Sequence, residues 1–177
     1  MIVLTSVIYT IGHSTRSSEE FIALLQAHGV RQVADVRRVP KSGRHPQFAQ
    51  EALASLLGAK GIVYRHFVNL GGLRKPMRGS VNTGLRNESF RGYADYMQTE
   101  AFRSALLDLL QFSEAAPTAI MCAEAVWWRC HRKLLSDVLL VRGVQVRHIL
   151  STSPSKSHEL SEFARATPEG VTYPGLL

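Results

Sequence analysis

Five short apolar runs recur along this chain, at residues 3–11, 30–36, 62–68, 118–121 and 144–150, and segments of helical periodicity separate them. The runs are rich in Val and Ile and have strand length. Between the first two, Ser17 and Glu20 have capping-box spacing, and Phe21, Leu24, Leu25 and His28 mark one helical face. Gly29 stands where such a helix stops. Further helices are expected over about 48–57, then over 90–98 and 101–112 with a break near Thr99. Another starts near residue 130, on Leu134, Leu135, Val138 and Val141. Strand–helix alternation of this kind builds parallel βαβ units joined by right-handed crossovers. Nearly continuous apolar strands fit a sheet covered on both faces. The expectation is an α/β fold: a single three-layer domain with a mostly parallel sheet of about five strands and helices on both faces. Its core spans about 3–150. The tail, 151–177, is polar and interrupted by proline, with one short helix around 160–166.

The 177 residues match the length of one domain, and 45% apolar residues can fill its core. No apolar run approaches the length of a membrane span. Residues 1–6 carry no basic region and no cleavage-like site, which argues for a cytoplasmic protein. Two cysteines in that compartment read as reduced thiols. Lys and Arg outnumber Asp and Glu by 21 to 14, a formal charge of +7. That excess points to an anionic partner, nucleic acid or a phosphate-bearing small molecule, and no membrane partner is expected. Gly12 is not followed by Gly-x-x-Gly, and Gly-Lys-Ser/Thr does not occur, which excludes dinucleotide and P-loop patterns.

The chemically distinctive residues fall after the strands. His13, Ser14 and Arg16 follow the first. Asp35, Arg37, Arg38 and His45 follow the second, and Asn69, Gly71 and Gly72 the third. Cys122, Glu124, Cys130, His131 and Arg132 follow the fourth. In a parallel sheet these ends share one edge, where open α/β sheets bind ligands. His13, Arg37, Glu124 and His131 are therefore expected in one concave, electropositive site, bordered by the aperiodic and loosely ordered stretch 73–89. Gly12 and Gly71-Gly72 suit tight turns or close backbone approach.

Thr10-Ile11-Gly12-His13-Ser14, then Asp35-Val36-Arg37 with Pro40, Ser42, His45 and Phe48, form two of five ordered motifs. Leu70-Gly71-Gly72, Phe90-Arg91-Gly92-Tyr93-Ala94, and Cys122-Ala123-Glu124 with Cys130-His131-Arg132 complete them. In order and spacing the set resembles domain-of-unknown-function family 488, over about residues 8–150. The resemblance implies a compact α/β protein and supports the site positions. It supplies no reaction.

Several roles stay open for these residues. Cys130, in the first turn of its helix beside Arg129, His131 and Arg132, reads as a thiolate nucleophile or as a small core residue. Cys122 reads mainly as core. No cofactor is expected, and a zinc site on Cys122, Cys130 and His131 would need His13 or His45 as fourth ligand. Glu124 is a general base or the ion-pair partner of Arg37 or Arg132. Asp35 has the same two readings. Arg16, Arg37, Arg38 and Arg132 are the anion-binding candidates, with helix N-termini after Ser14 and Trp128 as extra donors. Trp127 and Trp128 would stack bases or pack. His13, Glu124, Cys130 and His131 are the catalytic candidates. Two functional classes follow: an enzyme acting on a phosphate-bearing substrate, nucleic acid or nucleotide, and a non-catalytic nucleic-acid-binding module.

Overall fold

A computed structural model describes residues 6–175. Readings of residues 1–5 and 176–177, including the start of the first strand at residue 3 and the missing leader signal, lie outside the described residues. The parallel strands are β1 (Val7–Gly12), β2 (Gln32–Asp35), β3 (Val63–His66), β4 (Thr118–Cys122) and β5 (Gln145–His148). A short antiparallel β6 (Lys156–Ser157) closes one edge, so the sheet runs β3-β2-β4-β1-β5-β6. The helices are α1 (Ser18–Ala27), α2 (Gln50–Ala59), α3 (Glu88–Tyr96), α4 (Glu100–Glu114) and α5 (Arg132–Val141). Strand–helix alternation and the three-layer α/β architecture are as expected.

From β1 the chain steps outward to β2 and β3, then returns to β4 and on to β5. With crossovers of one hand, the two directions put their helices on opposite faces. The side chains show this partition. Phe21, Leu24 and Leu25 of α1 and Leu53 and Leu57 of α2 pack with Val33 and Met121 on one face. Tyr93, Phe102, Leu106, Leu134 and Leu135 of α3, α4 and α5 pack with Ile8, Ala34 and Ile120 on the other. β4 lies between β2 and β1, whose following helices cover the face opposite to α5. The ends of β1, β2 and β4 therefore frame the crevice where the connections diverge.

Local signals act as the sequence indicates. Ser17 and Glu20 form a capping box on α1, and Gly29 takes φ +66° behind it. The helix expected over about 48–57 is α2, preceded by a 3-10 turn, Pro46–Phe48. Four expectations need correction. β3 is an edge strand whose residues alternate between exposed and half-buried, so it is not covered on both faces. No helix forms at 160–166; β7 (Arg165–Thr167) and β8 (Gly170–Thr172) make a hairpin there. The tail is also structural: Val171 and Tyr173 are fully buried, and Asp137 of α5 accepts from Ser161 Oγ (2.6 Å) and Tyr173 Oη (2.8 Å). The stretch 73–89 is aperiodic but anchored. Buried Asp95 accepts from Met77 N, Ser80 Oγ and Asn82 Nδ2, and Asn82 Oδ1 accepts from Tyr173 N.

Gly12 closes β1 beside β4. A Cβ there would lie 1.7 Å from the Glu124 carbonyl oxygen, so only glycine permits that approach. Replacing it forces the Glu124 carbonyl away from its seat. Gly12→Ala is expected to cost more than about 3 kcal/mol of stability, a severe overpacking effect. Urea denaturation checks this; a cost below about 1 kcal/mol would contradict the close packing of the two strand ends.

Candidate functional site

The β1, β2 and β4 ends open into a cleft of about 530 Å3, within the size range of small-molecule sites. Among the candidates from sequence, His13, Arg37, Arg38, His45, Cys122, Glu124, Cys130 and His131 line it. Lys41, Arg44 and Arg129 add cations, so five Arg or Lys side chains face one carboxylate, Glu124. Val39, Leu73 and Phe90 supply apolar wall. The convergence of these segments follows from parallel pairing: Gly12 stands level with Cys122, and His13 and Ser14 donate their amides to Cys122 and Ala123 carbonyls. On the other side of β4, Val36 donates its amide to the Met121 carbonyl.

At the floor, Cys122 Sγ and Cys130 Sγ are 3.1 Å apart, and both thiols are free and buried. Arg132 is 1% exposed and pairs with no carboxylate among the described residues. Its Nε donates to Cys130 Sγ at 3.2 Å, its Nη2 to the Glu124 carbonyl and its Nη1 to Thr10 Oγ1 at 3.4 Å. The Arg132 amide adds a further donor to Cys130 Sγ at 3.4 Å. A buried guanidinium needs a compensating anion. The sulfur beside it is the group that can supply one. Burial alone would push the Cys130 thiol up; the Cys122 thiol and Arg132 outweigh it and hold Cys130 lowered to about 6. Burial and the neighbouring Cys130 sulfur push Cys122 well above the usual thiol value. The surroundings thus favour Cys130 over Cys122 as the sulfur that ionises first.

The Arg132 contact continues inward. Thr10 Oγ1 lies 2.7 Å from His148 Nδ1, His148 Nε2 lies 2.9 Å from His158 Nδ1, and His158 Nε2 lies 2.8 Å from Asp137 Oδ1. Trp127 stacks on His148 with ring centroids 3.9 Å apart. Packing is therefore the role of Trp127, while Trp128 is exposed. Thr10 stands in the first of the five motifs without a role of its own, and His148 is not among the residues the sequence marks out. A hydroxyl inside an otherwise apolar strand was the signal available.

Several expected roles change. Cys130 does not lie in the first helical turn: α5 begins at Arg132, and Cys130 follows a 3-10 turn, Trp127–Arg129. Glu124 makes no ion pair among the described residues; its main-chain carbonyl, not its carboxylate, holds Arg132. Asp35 is the partner of Arg37, accepting Nε at 2.9 Å and Nη2 at 2.7 Å, with Tyr64 Oη on the same carboxylate at 2.6 Å. Arg37 Nη1 also reaches the Phe48 carbonyl and His13 Nε2, so most of its donors are spent. Arg132 is likewise committed to Cys130. Arg16 turns away to the Gly12 and Leu150 carbonyls, and Ser14 does not line the cleft. Asn69 lines a separate groove with His66 and Asp108. The α1 N-terminus is occupied by its own capping box, and the α5 N-terminal amide faces sulfur. No group of three or more His, Cys, Asp or Glu side chains among the described residues could hold a metal ion, and His13 and His45 do not complete a ligand set with the thiols.

Two imidazoles complete the wall. His13 stacks on Phe48 and spends Nδ1 on the Ser14 carbonyl and Nε2 on Arg37. His131 spends Nε2 on the Val36 carbonyl, while Nδ1 lies against Gly72, where a Cβ would come within 2.9 Å of it. Burial lowers each to about 4, with Arg37 adding to the effect at His13 and Arg132 at His131. Both rings are neutral at neutral pH, and His131 Nδ1 is an unprotonated acceptor on the cleft wall.

The family model described as "Domain of unknown function DUF488" matches residues 17–139. The chain belongs to this family, which spans α1 to α5 and so carries the β2 and β4 sides of the cleft. No curated protein and no solved structure matches the chain.

Burial lowers His148 to about 3, with His158 and Arg132 adding to the effect, so three imidazoles resist protonation in the fold. From the ordinary value of 6.5 down to about 4, the unfolded chain takes up protons that the folded one refuses. The stability that these imidazoles contribute is fully present above 6.5 and falls as pH drops through that window. Lowered Cys130 acts with the same sign between 9.0 and about 6. Urea midpoints should therefore decrease steadily from mildly alkaline to acid pH, most steeply below 6.5. A midpoint unchanged down to pH 4 would contradict neutral, buried imidazoles.

Proposed function

We propose that the protein is an enzyme that binds a phosphate-bearing small molecule, of nucleotide size, in this cleft, where the Cys130 thiolate attacks an electrophilic atom of it and displaces a leaving group that departs with the electron pair of the broken bond and is protonated from solvent. The observation that carries the reading is the placement of Arg132 against Cys130 at the floor of a cationic cleft. A positioned thiolate is a nucleophile near neutral pH. Arg38, Lys41, Arg44 and Arg129 are free of ion pairs among the described residues and are the side chains that meet the anion. Arg37, fixed by Asp35, sets the shape of the wall. His131 Nδ1 is positioned to accept a proton from the group that releases the cysteinyl adduct, and the exposed Glu124 carboxylate is the second proton carrier.

A non-catalytic nucleic-acid-binding module accounts for the charge. It gives no reason for a buried guanidinium to face a sulfur rather than a carboxylate. A cleft of about 530 Å3 also suits a mononucleotide better than a polymer track.

The test combines calorimetric binding with protection of Cys130 from alkylation, using inorganic phosphate, a mononucleotide and short single-stranded DNA and RNA. A mononucleotide should bind, weaken with salt and slow alkylation of Cys130. Arg38→Ala with Arg44→Ala should weaken it by about tenfold or more, as expected for lost charge-assisted contacts. Cys130→Ser should leave binding intact. Nucleic acid that binds with a linear log-salt slope but leaves Cys130 alkylation unchanged would favour the binding module. Absence of binding by every probe at low salt would overturn the phosphate reading.

A further inference from the structure

The proposed function uses one of two thiols. Cys122 Sγ stands 3.1 Å from Cys130 Sγ, so any adduct formed on Cys130 is already within reach of a second sulfur. The surroundings of the two differ. Cys130 receives the Arg132 guanidinium at 3.2 Å and its main-chain amide, whereas Cys122 packs in the core, its polar contacts being Cys130 Sγ and, at 3.9 Å, the Glu124 carbonyl, with the Arg132 charge near enough to act on it too. One thiol is prepared to attack and the other is held in reserve. The cleft above them is cationic and of small-molecule size. We propose that Cys122 and Cys130 form a thiol–disulfide couple that reduces small anionic disulfides, with Cys130 as the attacking thiol and Cys122 as the resolving thiol.

The steps balance. The Cys130 thiolate attacks one sulfur of the substrate disulfide. That S–S bond breaks, and the first substrate thiolate leaves with the electron pair and is protonated. Cys130 is now neutral in a mixed disulfide, and the buried Arg132 charge has lost its partner. The nearest sulfur able to compensate it is Cys122, which attacks Cys130 Sγ as its proton passes to the departing second substrate sulfur. The mixed S–S bond breaks and the second substrate thiol leaves. Two protein thiols have lost two electrons and two protons, and one disulfide has become two thiols. Arg132 thus serves each sulfur in turn. The cationic rim selects substrates that carry carboxylates or other anionic groups.

This inference shares the Cys130 thiolate with the proposed function and does not depend on phosphate. Intact-mass measurements on the reduced protein distinguish the two. Glutathione disulfide, which is anionic, should convert the wild type to an intramolecular disulfide, lighter by two hydrogens and restored by a dithiol reductant. Cys122→Ser and Cys122→Ala should stop with one glutathionyl group on Cys130, and Cys130→Ser should not react. Cystamine, a cationic disulfide, should react more slowly at low salt, and high salt should narrow the gap. A wild type that stops at the same adduct as Cys122→Ser would overturn the resolving role while leaving the thiolate in place. No adduct in the wild type or in either Cys122 variant would remove the Cys130 nucleophile from both readings. Oxidation by hydrogen peroxide alone, with both disulfides inert, would overturn the disulfide substrate class.

Discussion

Arg132 is a full positive charge in the interior of the protein, and its environment is arranged to keep it there. An uncompensated buried charge costs several kcal/mol, yet among the described residues no carboxylate approaches this one. Three kinds of group answer it: the Glu124 carbonyl, the Thr10 hydroxyl and the Cys130 sulfur. Two of these are neutral dipoles, so the sulfur is the one group of the three that can carry a compensating charge. Gly12 lets the Glu124 carbonyl approach by having no side chain. Thr10 is held in turn by His148, His158 and Asp137, and Asp137 also fastens the C-terminal segment. One electrostatic requirement therefore links β1, β4, α5 and the tail.

The sheet order explains why this requirement meets a cleft. β4 is inserted between β2 and β1, and its connection leaves on the face opposite to theirs. The diverging connections leave an opening above Cys122. Into it project the β1 end with His13, the β2 end with Arg37 and Arg38, and the β4 loop with Cys130 and His131. Asp35 sits one step deeper and neutralises Arg37. The cleft therefore owes its positive character to the loop around Arg38, Lys41 and Arg44 and to Arg129, and not to the two buried arginines.

The features legible in the sequence are those set by local periodicity. The Ser17/Glu20 box, the Gly29 stop and the apolar runs place α1, β1, β2 and β4, and parallel pairing then brings their ends together without further information. The partners of charged groups were not legible, because they depend on which side chains face each other across elements. Arg37 was readable beside Asp35, two residues away. The Arg132–Cys130 contact was not separable from a core cysteine, since both readings place the sulfur inward. The polar tail looked peripheral because its few apolar residues lack periodicity, although Tyr173 is fully buried. Asp137, on the same helical face as Leu134 and Val138, was the available sign that α5 meets a polar partner. Asp95 within α3 was the corresponding sign for the anchored stretch 73–89.

The central claim is that Arg132 holds Cys130 as a thiolate. Ultraviolet absorbance of thiolate, followed against pH on the unmodified protein, tests it most directly. The wild type should show an ionisation step near pH 6 that vanishes in Cys130→Ser and moves upward in Arg132→Gln. A first ionisation at or above the ordinary thiol value of 9.0 would contradict the claim and return Cys130 to the core.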